Sequence, residues 1–148
     1  MSHKKRMLLA AVLLLGLTAA LAVLHFAARP QVPEGTVLVR AGGDGVCISL
    51  RDLPLSRVEG AILNGKGETA EISGQGILLR EVLHYAGVTD PGRVTAVADD
   101  SYSAVVESGE LAGSTVYLLM EEGQGRLVVF GDPNSKRNVS HLTELIVE

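Results

Sequence analysis

Few residues of this 148-residue chain are of types that carry out chemistry, and their spacing excludes more than it allows. Beyond the N-terminal thirty residues stand two histidines, His84 and His141, and one cysteine, Cys47. No two of them stand at metal-ligand spacing, so the chain has no zinc or redox motif. Cys47 lies in the apolar run Val46-Cys47-Ile48, where a small buried hydrophobe is expected. The adjacent carboxylates Asp99-Asp100 and Glu121-Glu122 could ligate a hard cation, but neighbours at a strand end point to opposite faces. They read as solvated turn charges. Ser101, His141 and Asp132 offer the residue types of a hydrolytic triad, yet no nucleophile elbow surrounds any serine.

A binding set remains. Tyr102 follows a turn beside Asp100 and can present its hydroxyl at the mouth of a cleft. Arg126, Lys136 and Arg137 are the cations of the final third and would hold an anion by charge. Asp100, Tyr102, Arg126, Lys136 and Arg137 are therefore the candidate ligand-binding residues. The plain alternative for the three cations is that they balance an acidic surface. Gly74-Gln75-Gly76 is the nearest approach to a dinucleotide fingerprint, but the third glycine position holds Leu79 and no further βαβ units follow.

The elements that would position these residues begin with a membrane segment. Met7 to Leu24 carries no charge, and the apolar stretch 7–28 rises roughly 33 Å as a helix, enough to cross a bilayer core. Lys4, Lys5 and Arg6 precede it, so residues 1–6 form a cytoplasmic basic arm and everything after Arg29 lies outside. A cleaved signal peptide, with Ala20-Leu21-Ala22 as the cleavage site, is the competing reading. Pro30 and Pro33 stiffen a linker over 29–35. The chain has 13 Lys+Arg and 17 Asp+Glu; without the arm's three basic residues, 10 face 17, a net charge of −7. That balance argues against nucleic acid as a partner. A single cysteine allows no internal disulfide.

Residues 36–148 read as one strand-rich α+β domain. Ser73 to Val88 is organised as a helix by Leu78, Leu79, Val82, Leu83 and Ala86, with Gly87 as its left-handed cap and Pro91 barring resumption. Strands are expected at 36–40, 46–50, 57–63, 68–72, 93–98, 102–107, 115–121, 126–130 and 145–147, with a helical turn at Leu50 to Pro54 and a loop at 108–114. The two long apolar runs, 115–121 and 126–130, should hold the centre of the sheet.

The pattern Gly74-x-Gly76-Ile77-Leu78-Leu79-x-x-Val82-Leu83-x-x-Ala86-Gly87-Val88, followed by Val94 to Tyr102, Glu110-Leu111 and the closing Leu145 to Glu148, resembles the molybdopterin-binding domain of the sulfite oxidase family. The resemblance covers roughly residues 36 to 148. It implies a mixed α+β fold with a curved sheet, oxidoreductase ancestry and molybdopterin as cofactor. In the family a cysteine upstream of the helix supplies a thiolate to molybdenum. The matching region here is Ala61-Ile62-Leu63-Asn64-Gly65, with no cysteine, and a thiolate ligand cannot be replaced by isoleucine.

The reading that follows is a single-pass protein of the cell membrane, held through Met7 to Ala28. Its extracytoplasmic domain is a non-catalytic binding or accessory module of a redox system, with a membrane redox protein as partner. An active molybdopterin-dependent oxidoreductase using Cys47 is one alternative. A structural or partner-binding envelope protein is the other.

Overall fold

The computed structural model describes residues 3–28 and 32–148. It has two compact units, an N-terminal one that holds a helix and a second running from Val32 to Glu148. The helix, α1 (His3–Ala27), takes in the basic residues expected as a separate arm. It is long and apolar enough to cross a membrane, a property it shares with signal sequences. Its one hydroxyl is satisfied internally, since Thr18 Oγ1 donates to the Leu15 carbonyl at 2.9 Å. Of the linker over 29–35, residues 29–31 lie outside the described residues, as do Met1 and Ser2.

The second unit is a mixed α+β, strand-rich domain. Its strands are β1 (Thr36–Ala41), β2 (Asp44–Ser49), β3 (Ser56–Leu63), β4 (Thr69–Leu78), β5 (Arg93–Ala98), β6 (Ser103–Glu107), β7 (Val116–Glu121), β8 (Gln124–Val129) and β9 (Val139–Val147). Two short helices interrupt them, α2 (Leu79–Tyr85) and α3 (Ser108–Leu111), with 3-10 turns at Leu50–Asp52 and Ser135–Arg137. The sheet order is β2-β1-β9-β8-β7-β4-β3, which puts β8 at the middle, as its apolar run predicts. β9 is the junction. Val139 and Leu142 pair with β8, while Glu144 to Val147 lie between β1, in parallel, and β5, antiparallel. Register shifts occur in both the β5 and β8 pairings, and His141, at φ 53, lies within the β8 shift between Val139 and Leu142. A non-glycine residue in that region marks a bulge that turns the strand.

Tight turns follow the expected chemistry. Gly42 and Gly43, both at positive φ, close the β1–β2 hairpin with Ala41 opposite Asp44. Glu122 and Gly123 do the same between β7 and β8. Asn64 organises the β3–β4 loop by accepting the N–H groups of Lys66 and Glu68 at its Oδ1.

The sequence reading puts one helix from Ser73 to about Ala86, and at its start the structure differs. Residues 73–78 continue β4, where Gln75 to Leu78 pair with β7 and Ser73 to Gly76 pair with β3. Ladder hydrogen bonds on both sides outweigh a helical spacing that the glycines support poorly. The helix itself spans only Leu79–Tyr85, and it buries Leu79, Val82 and Leu83 completely. Its end is as expected: Gly87 stands at φ 85, the Gly87 N–H donates to His84 O and the Val88 N–H to Leu83 O, each at 2.9 Å. Two further differences are smaller. The loop expected at 108–114 holds α3, and the last strand starts at Val139 rather than Leu145 because the His141 bulge breaks its alternation. Cys47, expected to be buried, is exposed on β2, which hydrogen-bonds to β1 only.

Both faces of the sheet are packed. The main core holds Leu50, Leu79, Leu83, Leu118, Leu127 and Leu145 among others. On β7, Leu118 points into that core and its neighbour Leu119, which is also buried, must point away. Leu119, Ile62 and Val128 make a second, smaller core on the opposite face. Gly131, just past β8, donates its N–H to the Ala61 carbonyl of β3 at 3.0 Å. β3 and β8 are three places apart, roughly 14 Å in a flat sheet, so this bond requires a strong curl.

Candidate functional site

The five candidate binding residues divide into two groups. Asp100 Oδ1 accepts the Tyr102 N–H at 2.8 Å, an Asx turn that shapes the β5–β6 hairpin around Ser101 at φ 72. The Tyr102 hydroxyl, on a side chain 43% exposed, donates to the Lys136 carbonyl. Tyr102 thereby joins the hairpin to the 3-10 turn that carries Lys136 and Arg137. Arg126 is held elsewhere, with Nη1 2.8 Å from Glu121 Oε1 across the β7–β8 hairpin. Its Nε is buried without a hydrogen-bond partner.

Arg137 is a structural hub. Its Nε donates to Asp132 Oδ2 at 2.5 Å and its Nη1 lies 2.6 Å from Glu110 Oε1. The other Glu110 oxygen accepts the Glu107 N–H at 3.0 Å and so fixes the start of α3. Asp132 is the charged side chain buried among the described residues, and its second oxygen accepts the Asn134 N–H at 2.9 Å. Burial by itself would raise the Asp132 carboxyl. The Arg137 hydrogen bond, the Asn134 N–H and the Arg137 charge outweigh it and hold the group below the usual carboxylate range. The hydrogen bond to Asp132 in turn holds the Arg137 guanidinium above its ordinary value. Both charges are thus paired within the protein. Sequence reasoning gave neither Glu110 nor Asp132 a role in holding Arg137; the Asp-Pro-Asn turn was the one local signal for an Asx motif.

A cavity of about 440 Å³ opens elsewhere in the domain, between Val32 to Thr36, the end of β5, the start of β8 and the middle of β9. Its polar lining is Glu34, Thr36, Asp99, Gln124 and Thr143. The Thr36 hydroxyl donates to Pro33 O at 2.6 Å and the Thr143 hydroxyl to Val97 O at 3.2 Å. With both hydroxyl protons committed, the side chains lining the cavity are two carboxylates, Glu34 and Asp99, and the Gln124 carboxamide, which both donates and accepts. The two carboxylates make the lining acidic, which disfavours phosphate. His141 Nδ1 lies 3.5 Å from Asp99 Oδ2, so the histidine is drawn to Asp99 while Asp132 is occupied by Arg137. The triad types Ser101, His141 and Asp132 are not assembled.

A smaller cavity of about 230 Å³ lies against Ala61, Ile62, Leu63, Thr69 and the Gly131-Asp132-Pro133 turn. Among the described residues no group of three His, Cys, Asp or Glu side chains could hold a metal ion. No protein-family model matches the chain, and no curated protein is significantly similar to it.

Proposed function

We propose that the chain is a single-pass protein of the cell membrane, N-terminus cytoplasmic. Its extracytoplasmic domain resembles the molybdopterin-binding domain of the sulfite oxidase family and serves a redox system as a non-catalytic binding or accessory module. The observation that carries the loss of catalysis is Ile62. It occupies the region where the family's cysteine would ligate molybdenum, and it is 5% exposed, packed in the smaller core. The cavity beside it is below the 300 Å³ at which small-molecule pockets begin, and its one charge, Asp132, is taken by Arg137. Cys47, the thiol an active enzyme would need, is on an edge strand and lines neither of the cavities described above. These residues do not fit a resident molybdopterin.

The membrane placement is supported by the length and composition of α1 and by Lys4, Lys5 and Arg6 at its start. The exposed surface around Asp100, Tyr102 and Lys136 is the contact region we assign to a partner or ligand, braced from within by Arg137. The test is to purify the full chain from a host that makes the cofactor and to measure molybdenum and pterin per chain. We expect neither in the folded protein. Near-stoichiometric cofactor would overturn the reading.

A further inference from the structure

Three strands of the sheet have a single hydrogen-bonded neighbour: β2, β3 and β6. Such an edge is a row of open backbone donors and acceptors, a template for another strand unless something blunts it. On β3 the blunting is visible, since Arg57 and Glu59 are exposed and the Ala61 carbonyl is taken by Gly131. On β6 the Tyr102–Lys136 bond ties the neighbouring 3-10 turn to the start of the strand, and Glu107 ends it in an ion pair with Arg93. Among the described residues β2 has one such device, the exposed charge of Asp44 at its first position. Its sequence, DGVCIS, contains no proline and no lysine, and its six pairs with β1 run without a bulge.

The side chains of β2 suit a copy of themselves. Val46 and Ile48 stand opposite Val39 and Val37, both core residues, so they extend the core face past its cover, and Val46 is 45% exposed. In an antiparallel two-fold pairing centred on Cys47, Val46 faces Ile48 of the second copy and Ile48 faces its Val46. Both are β-branched cross-strand pairs, and no like charges meet. Cys47 then faces its own counterpart, with Cα atoms about 5 Å apart.

We infer that β2 is a docking edge for a second copy of this chain, joined antiparallel about Cys47 into one continuous sheet. Six residues bury far less than the roughly 1,600 Å² of a standard interface, so pairing in dilute solution is weak. Two copies anchored through α1 in one bilayer meet at a much higher effective concentration, and there the edge is populated.

The full chain in phospholipid vesicles, with incorporation checked by flotation, provides the test. Two copper(II)-phenanthroline complexes each take one electron from a pair of Cys47 thiols and are reduced to copper(I), while the thiols release two protons as the disulfide forms. The wild type should cross-link at least tenfold faster than Cys47→Ser carrying Asp44→Cys, whose thiols the pairing sets roughly 20 Å apart. Val46→Lys should slow the Cys47 reaction to a similar extent. Equal rates at positions 44 and 47, or no effect of Val46→Lys, would overturn the inference.

Discussion

The ring of Phe130 lies on Gly60, three strands away in the sheet, so closely that a Cβ built on the glycine would stand 2.5 Å from Cδ1. Leu119 lies on Gly76 in the same way, at 2.5 Å from Cδ2. The second face of the sheet is thus closed by large side chains folded down onto glycines, with Tyr117 tilted against Phe130 at 5.5 Å between ring centroids. Gly60→Ala should cost about 2 kcal/mol by overpacking, read as a lower urea midpoint with unchanged slope. Phe130→Leu in the same chain should recover part of it. Additive losses would show that the ring does not rest there.

Acid should loosen the Asp132–Arg137–Glu110 network. Asp132 is lowered in the folded state, so its contribution is present above the unfolded value near 3.9 and is lost as pH falls through the folded one. Urea midpoints measured from pH 6 to pH 2 should decline below about pH 4. Asp132→Asn should cost about 2 kcal/mol at pH 6 and flatten that decline. An unaltered acid limb in the variant would contradict the assignment.

At Gly87 the expected penalty is purely one of backbone. A Cβ there meets nothing within 4 Å, yet φ is +85, so Gly87→Ala should lose about 1 kcal/mol. Gly65 is equally open and has no positive φ, and Gly65→Ala is the control that should stay neutral. Equal effects at the two positions would remove the cap from the account.

Cys47 reports orientation. As an exposed thiol on the second unit it should, after mild reduction of any Cys47–Cys47 disulfide, react with a membrane-impermeant maleimide in intact cells without permeabilisation. Labelling that appears only after the cells are opened would place the domain on the cytoplasmic side.

How far the sequence reaches is best seen at particular elements. β5 is read residue for residue, because Arg93–Ala98 alternates cleanly between a glycine and a turn. The α2 cap is legible because Gly87 has a local conformational reason to be there. What sequence could not weigh is tertiary competition: Gly74 and Gly76 look like a bend into a helix, but β3 and β7 claim the backbone on both sides. Cys47 misleads for a related reason, since an apolar run marks a strand without saying that it is the outermost one. At the candidate site Tyr102 and Lys136 do meet, whereas the partners of Arg137 depend on Glu110, far away along the chain, and on a carboxylate whose burial no local pattern announces.

β1 pairs in parallel with β9, Leu38 opposite Glu144 and Val39 opposite Leu145, and an ion pair between Arg40 and Glu144 crosses the seam. A ribosome therefore makes β1 roughly a hundred residues before the strand that completes it. Until then β1 has only β2, and a lone hairpin is marginal in water. Translation that stops short of residue 144 should leave a nascent chain open to proteases throughout. The same delay keeps the growing polypeptide free of a finished sheet until its last residues are made.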